Sequence, residues 1–452
     1  MDGFARTTGL DAPPSRPVAV LLGVTFVVHA PALWGAFVYD DVNDITANPS
    51  AQAGTFLDRL PVTVRPLLKA SYAVQDALHG MNAFAFHAVN LALHLGAVAL
   101  VFLLILRLAA LSACPSPRAR LVAFVATLLW AIHPAVTETV SYVSGRSVGL
   151  SSLLILACLL PATSEKPHPA LALLFAALAP LARETALIVP LLLLAVQVTV
   201  GRSLPFRRAL PVWGGALVAA IILTAMPSHR DLVSFSLDQR GPLDALLANV
   251  FALPEILSFW VKPWTISALP HQPVIYGWSD PPTLMRLTAL TLIPVTAFAI
   301  RKRFPLAAFA VLWALLALLP TNSVIWRVDP IAIRPLYLAG LGLSLLLALA
   351  LVQRQIGVWI TGVLAIGLGV LTFQRAHLYH SYVALFADAA AKSPNEARAQ
   401  TMLGLALANA GQAEDARAAF ARALALDPFD TEAQNAIRVL DNGGQIYSIP
   451  TP

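Results

Sequence analysis

Apolar runs dominate this chain, falling near 17–37, 85–106, 121–133, 148–161, 170–181, 186–200, 211–226, 246–261, 284–300, 305–320, 336–352 and 356–374, with short polar breaks between them. About 20 apolar residues in helical form match the roughly 30 Å hydrocarbon core of a bilayer, so the pattern predicts membrane-spanning helices. The runs at 121–133 and 170–181 are shorter than that. They must extend into their flanks, tilt, or border cavities buried in protein. Residues 1–16 are polar, and no small-residue cleavage motif follows a short apolar core, so Pro17 to Ala36 reads as a retained first span. After residue 375 the pattern changes to an Ala-rich, charged sequence of helical period, which predicts a small domain over 376–452 outside the membrane.

Composition agrees: 58% of residues are hydrophobic and only 12% charged, with a mean hydropathy of +0.72, far from the quarter-charged profile of soluble domains. The fold class is therefore all-α, a polytopic transmembrane bundle over 17–375 with a first external loop at 38–84. Basic residues in such chains mainly set orientation, and none here form a run interleaved with exposed aromatics, which argues against a nucleic-acid partner. Arg107, Arg118 and Arg120, then Arg202, Arg207 and Arg208, then Arg301, Lys302 and Arg303, then Arg354 share the cytoplasmic face only if one segment between 226 and 284 does not cross. The segment at 246–261, with Pro254 and Glu255 at its centre, is read as interfacial or re-entrant. That gives about eleven spans, N-terminus inside and C-terminus outside; if the segment crosses, everything after it inverts. Cys114 in a loop and Cys158 in a span support neither a disulfide framework nor a cysteine metal site.

The tail carries a repeat signature. Pro394 and Pro428 lie one 34-residue period apart, and Leu403, Gly404, Leu407, Ala416, Phe420 and Ala423 fall at the large, small and knob positions of a tetratricopeptide repeat. Asn395 to Asp427 is one full unit, with half-units at 381–393 and 429–440. A single unit cannot bury its apolar face alone, so it must pack on flanking helices, on the membrane domain or on a partner.

Candidate chemistry begins at Asp40 and Asp41, just past the first span. Carboxylates beside a bilayer are costly unless paired or wet, which makes them functional candidates. In extended backbone adjacent side chains point to opposite sides. One of the two can face a substrate while the other fixes the loop or helps to bind it. A solvated loop end capping a helix is the plainer alternative.

Phe37-Val38-Tyr39-Asp40-Asp41 is followed by Arg65-Pro66-Leu67, Phe86-His87-Ala88-Val89-Asn90 with His94, His133-Pro134 with Thr137 and Glu138, Ser144-Gly145-Arg146 and Arg183-Glu184-Thr185. Then come Leu319-Pro320-Thr321-Asn322, Arg334 and Tyr337. In this order and on this hydropathy profile, from about 17 to 440, the chain resembles the type-C (GT-C) membrane glycosyltransferases of the transmembrane-and-tetratricopeptide class, which are similar to protein O-mannosyltransferases. Two positions depart from the class: Ile333 stands where a carboxylate is expected before Arg334, and the tail holds one repeat rather than many.

The resemblance implies inverting transfer of a sugar, mannose in that class, from a polyprenyl-phosphate donor to a protein Ser/Thr hydroxyl. The compact chain and its Ala/Arg/Leu-rich usage suggest a bacterial origin, so the place would be the periplasmic side of a bacterial inner membrane. A lipid or polysaccharide acceptor is the first alternative, and a non-enzymatic scaffold recruiting partners through the repeat is the second. Asp40 is implied as the general base ahead of Asp41. A carboxylate is ionised at neutral pH and can take the hydroxyl proton. Arg146, Arg183 and Arg334 are candidates for the donor phosphate, because the planar guanidinium can bond two phosphate oxygens. Glu138, Glu184, His87 and Tyr337 are candidates for binding or orienting substrate, Glu138 either by holding Arg146 or by meeting a sugar hydroxyl. His87, His94, His133 and Asp44 lack the tight spacing of a zinc motif and read better as hydrogen-bonding groups between helices, with a divalent cation left open as a cofactor. The amphipathic stretch from Phe56 to Leu78 is expected along the outer surface, roofing the lipid entry. Trp260, Trp264, Tyr276 and Trp278 are expected in an interfacial belt.

Overall fold

The computed structural model describes residues 15–201, 204–239, 241–323 and 330–442. Most of the N-terminal segment 1–16, Arg202 and the last ten residues lie outside the described residues. Helix α1 (Ser15–His29) leads into the first loop, whose main element is α2 (Pro66–His79). Then follow α3 (Ala83–Leu111), α4 (Ser116–Ala131), α5 (Arg146–Thr163), α6 (Pro169–Ala182), α7 (Val189–Thr199), α8 (Leu210–Ala225) and α9 (Pro227–Gln239). Next are α10 (Pro242–Val261), α11 (Pro281–Ile300), α12 (Pro305–Leu318), α13 (Leu336–Leu351) and α14 (Gln355–Leu378). The tail forms α15 (Tyr382–Lys392), α16 (Ala397–Asn409), α17 (Ala413–Leu426) and α18 (Thr431–Asp441). No strand occurs among the described residues.

The apolar core runs through α3, α4, α5, α7, α12 and α13, around Phe102, Trp130, Leu156, Leu193, Trp313 and Leu345. Leu217 and Ile221 of α8, Leu292 of α11 and Val363 and Ile366 of α14 stay exposed. In this polytopic membrane protein such faces suit hydrocarbon. Among the described residues, seven helices are long and apolar enough to cross a membrane, or eight if the bent pair described next is one span. The shorter apolar helices are Pro169–Ala182, Glu184–Thr199, Pro305–Leu318 and Leu336–Leu351, and α4 bends by 58° into Pro134–Val140. A break inside hydrocarbon frees carbonyls that must find donors. His29 Nε2 and His94 Nε2 each donate to the Ala131 carbonyl at 3.0 Å, and Thr372 Oγ1 donates to the Ile132 carbonyl at 2.6 Å. Histidines of the first spans thus close the backbone of the broken helix.

Topology follows from which ends touch. The Ala36 N–H donates to the Tyr379 carbonyl at 3.1 Å, so α14 ends where the Asp40 loop begins. An even number of crossings must therefore separate them. Helix α10 is long and apolar enough to cross, yet its Ala252, Ile256 and Phe259 pack on Ala317 and Leu318 at the end of α12 and on Leu336 and Ala339 at the start of α13. Asn249 Nδ2 donates to the Ser323 carbonyl at 2.9 Å, and Trp260 stacks on His133 at 3.7 Å. These partners all lie at the Asp40 end, so α10 runs across that end rather than through the bundle. Gly340 admits the Trp260 ring there; a Cβ would sit 2.1 Å from it. With α10 set aside, α3 to α8 and α11 to α14 are ten helices after α1, an even number. At the opposite end Arg107 Nε donates to the Thr163 carbonyl at 2.7 Å and Arg208 Nη1 to the Ser164 carbonyl at 2.6 Å, capping the last turn of α5.

The tail helices pack on one another: Phe420, Ala416 and Ala423 are buried with Leu405 and Leu407, and Gly404 leaves room for the Phe420 ring, which a Cβ would meet at 2.5 Å. The unit also docks on the membrane domain. Lys392 Nζ donates to the Ile266 carbonyl at 3.1 Å, and Phe386 meets the Tyr39 ring edge-on at 5.9 Å.

Candidate active site

The loop after α1 turns sharply at Tyr39, whose φ of +52° lies in the left-handed region that a bulky side chain rarely adopts. Its hydroxyl accepts from Arg398 Nη2 at 2.5 Å, which ties the turn to the repeat. The turn sends Asp40 and Asp41 to different environments. Asp41 is buried: its Oδ2 accepts the Val38 N–H at 3.0 Å, and its Oδ1 accepts both the N–H and the hydroxyl of Ser144 at 2.7 Å. Burial pushes its carboxyl up to about 7, against the lowering effect of those donors. Asp41 therefore pins the loop to the start of α5 and does not reach the cavity.

Asp40 does reach it. Its side chain is 42% exposed and pairs with Arg334 Nη2 at 3.3 Å, while its backbone N–H donates to the Tyr142 hydroxyl at 2.8 Å. Arg334 is held from its other side by Glu138, Nε to Oε1 at 2.8 Å, and lies over the Tyr142 ring at 4.9 Å. Burial alone would weaken this guanidinium's hold on its proton, but Glu138, Tyr142 and Asp40 keep it well above its ordinary range. Asp40, Glu138, Arg334, Tyr39, Glu396 and Arg398 line one cavity of about 290 Å³.

Two more spaces are linked to it through shared lining residues. A narrow gap of about 30 Å³ lies between Arg334 and Arg183, bordered by Ser151, Ser152 and Thr185. Thr185 and Ile188 in turn border a chamber of about 800 Å³ whose walls are mostly apolar, among them Leu187, Leu223, Leu232 and Pro320. Arg183 Nη1 donates to Ser147 Oγ at 3.0 Å. Glu184 forms a two-pronged ion pair with Arg65, at 2.9 and 2.7 Å, tying α2 to the chamber mouth.

The remaining expected site residues are placed elsewhere. Arg146 is 0% exposed; its Nε donates to Asn90 Oδ1 at 2.8 Å, its Nη2 to the Phe86 carbonyl at 2.9 Å, and its guanidinium lies over the Tyr72 ring at 4.6 Å. So enclosed, Arg146 lines none of these cavities, and Glu138 pairs with Arg334 rather than Arg146. His87 is buried with Nε2 3.4 Å from the Ala36 carbonyl. Tyr337 is buried too: its hydroxyl donates to His94 Nδ1 at 2.8 Å, and its carbonyl accepts from Trp130 Nε1 at 2.6 Å. Both join helices and line none of these cavities. Asp44 sits beside Lys69, whose Nζ donates to the Asp44 carbonyl. Among the described residues, no three of His, Cys, Asp and Glu are placed to hold a metal ion. Of the aromatic belt, Trp264, Tyr276 and Trp278 are exposed, whereas Trp260 is stacked on His133.

Two residues were missed by sequence reasoning. Arg398 belongs to the repeat and reaches the Asp40 cavity only through docking. His229, on α9 in the chamber wall, is buried with neither ring nitrogen partnered. Its position in the polar stretch after the apolar run at 211–226 carries no motif that would single it out.

The chain thus forms a bundle of apolar, membrane-capable helices with a paired acid and guanidinium at one end, against which a small helical unit docks. Comparison with known proteins makes that specific. The chain is 31% identical over 170 residues to human protein O-mannosyl-transferase TMTC1, covering 34% of this chain and 18% of that protein. It is 23% identical over 446 residues to protein O-mannosyl-transferase F38B6.6 of Caenorhabditis elegans, covering 91% of this chain and 63% of that one. A 108-residue stretch is 41% identical to Drosophila melanogaster Tmtc3, covering 21% and 12%. The matches thus span less than two thirds of these relatives' length. No family model matches the chain, and no solved structure matches it. The chain is similar to the protein O-mannosyl-transferases of the transmembrane-and-tetratricopeptide class.

Proposed function

We propose that this protein transfers a sugar, mannose on the precedent of its relatives, from a polyprenyl-phosphate donor to a Ser/Thr hydroxyl of a protein. One observation carries the reading: Asp40 and Arg334 line a polar cavity, Arg334 and Arg183 line the gap next to it, and Thr185 and Ile188 line both that gap and a large apolar chamber. A lipid-linked sugar has this order of parts. The isoprenoid chain occupies the chamber, the phosphate opens the gap between Arg183 and Arg334, and the sugar fills the cavity beside Asp40. In the reaction the acceptor oxygen bonds to the anomeric carbon from the face opposite the phosphate, and its proton passes to the Asp40 carboxylate. The bond from the anomeric carbon to the phosphate oxygen breaks and polyprenyl phosphate leaves, its charge held by the arginines. Glu138 positions Arg334 for this and is itself neutralised by it.

In this reading the basic loops carrying Arg107 and Arg208 face the cytoplasm, in keeping with the positive-inside bias, and the Asp40 loop and the repeat lie on the outer side of a bacterial inner membrane. Purified protein in nanodiscs, given mannosyl polyprenyl phosphate and a Ser/Thr-rich peptide, tests the reading by mass spectrometry of the product. Mannosylated peptide with inverted anomeric configuration is expected. Transfer to lipid alone, or intact donor after prolonged incubation, defeats the proposal.

A further inference from the structure

Behind Asp40 lies a second polar cavity, of about 250 Å³, between the first loop and the repeat; Tyr39, Asp40, Asn43, Arg398, Met402 and Glu432 are among its lining residues. It shares Tyr39, Asp40 and Arg398 with the sugar cavity, but Arg334 and Glu138 border only the latter. We propose that this cavity is the acceptor subsite, in which an extended polypeptide lies between the loop and the repeat so that the tail forms one wall of the active site. The inference rests on the transferase reading and adds where, and against which residues, the acceptor binds.

Three observations support it. In an inverting displacement the base and the nucleophile stand on the face of the sugar opposite the leaving group. Asp40 is common to both cavities while the cation for the leaving phosphate borders one, which assigns the other to the nucleophile. The wall is fixed rather than swinging: Arg398 bonds the Tyr39 hydroxyl, Lys392 bonds the Ile266 carbonyl, and Glu396 meets His271 at 3.2 Å. Finally, the lining is that of a peptide site, with the apolar Met402 and Leu405 as floor, the Asn43 amide for main-chain groups, and charged Arg398 and Glu432 at the edges. A bilayer-anchored glycolipid would have to leave the membrane to enter a space walled by repeat helices, so the cavity favours a soluble polypeptide.

The test uses the full chain in nanodiscs with Met402→Trp, which fills the cavity, and Glu432→Arg, which inverts the charge of an exposed side chain. KM is measured separately for a Ser/Thr-rich peptide and for mannosyl polyprenyl phosphate. Binding of a fluorescent version of the peptide with Ala at the acceptor position is measured without donor. Met402→Trp is expected to raise the peptide KM by about tenfold and the donor KM by less than about twofold, with Glu432→Arg shifting the peptide KM by about threefold. Equal shifts in both KM values, or no shift in the peptide KM with either variant, overturn the proposal. If the wild-type protein transfers no sugar to peptide, the transferase reading fails but binding still decides this one: peptide bound by wild type and lost in Met402→Trp upholds the subsite, and no binding by wild type overturns it.

Discussion

The two neighbouring aspartates should respond in opposite ways to the same substitution. Asp40→Asn keeps the side chain's shape and its room beside Arg334, but an amide cannot take a proton, so transfer should fall by about a hundred- to ten-thousand-fold, the range of a lost general base. Its melting temperature should stay near that of the wild type, because the side chain is 42% exposed and its ion pair is partly solvated. Asp41→Asn faces three donors: the Val38 N–H on one oxygen, and the Ser144 N–H and hydroxyl on the other. An amide nitrogen cannot accept, so whichever way the group is turned at least one buried donor loses its partner, at about 1–3 kcal/mol. That variant should melt earlier yet turn over at close to the wild-type rate at temperatures where it is folded. A pH series sharpens the contrast. Burial raises the Asp41 carboxyl to about 7; with the folded value above the unfolded one, its contribution is fully present below the ordinary carboxylate range and is lost as pH rises through about 7. The stability gap between wild type and Asp41→Asn should therefore narrow from about pH 5 to about pH 8. Transfer assays beside melting curves in detergent decide the matter. An Asp41→Asn protein with wild-type melting and transfer as low as that of Asp40→Asn would refute the division of roles.

Arg334→Gln should raise the donor KM or lower kcat by more than about tenfold, since a charge-assisted contact is worth about 1.5–3 kcal/mol; Glu138→Gln, which only loosens Arg334, should do less, and donor titrations rank the two. Arg146→Met should lower the melting temperature without selectively weakening donor use, because it strands Asn90 and the Phe86 carbonyl in the core; a donor-specific defect with unchanged melting would return Arg146 to the phosphate site. Gly404→Val forces a Cβ into the space 2.5 Å from Phe420, so limited proteolysis should release the tail faster than in the wild type. Alkaline phosphatase fused after Pro452 should be active and green fluorescent protein at the same point dark; the reverse pattern would mean that the tail and the Asp40 loop face the cytoplasm.

Sequence alone determined the membrane class, the boundaries of most helices and the helical hairpin of the tail, because these depend on local quantities: apolar run length, helical period, and the 34-residue spacing of Pro394 and Pro428. It also singled out Asp40 and Arg334, since polar groups beside an apolar run stand out without any fold. Partnership needed tertiary structure. Glu138 and Arg334 are 196 residues apart, Arg65 and Glu184 are 119 apart, and Asp41 and Ser144 are 103 apart; no periodicity links such pairs. Arg146, Arg183 and Arg334 look alike along the chain, yet packing encloses the first between Tyr72 and Asn90 and brings the other two to the edge of one gap. The path of α10 was ambiguous for the same reason: its composition suits a span, and only its contacts with the ends of α12 and α13 turn it across the bundle. Hydropathy reports the solvent a segment prefers, whereas the identity of a buried group's neighbour is decided by how the helices pack once they share that solvent.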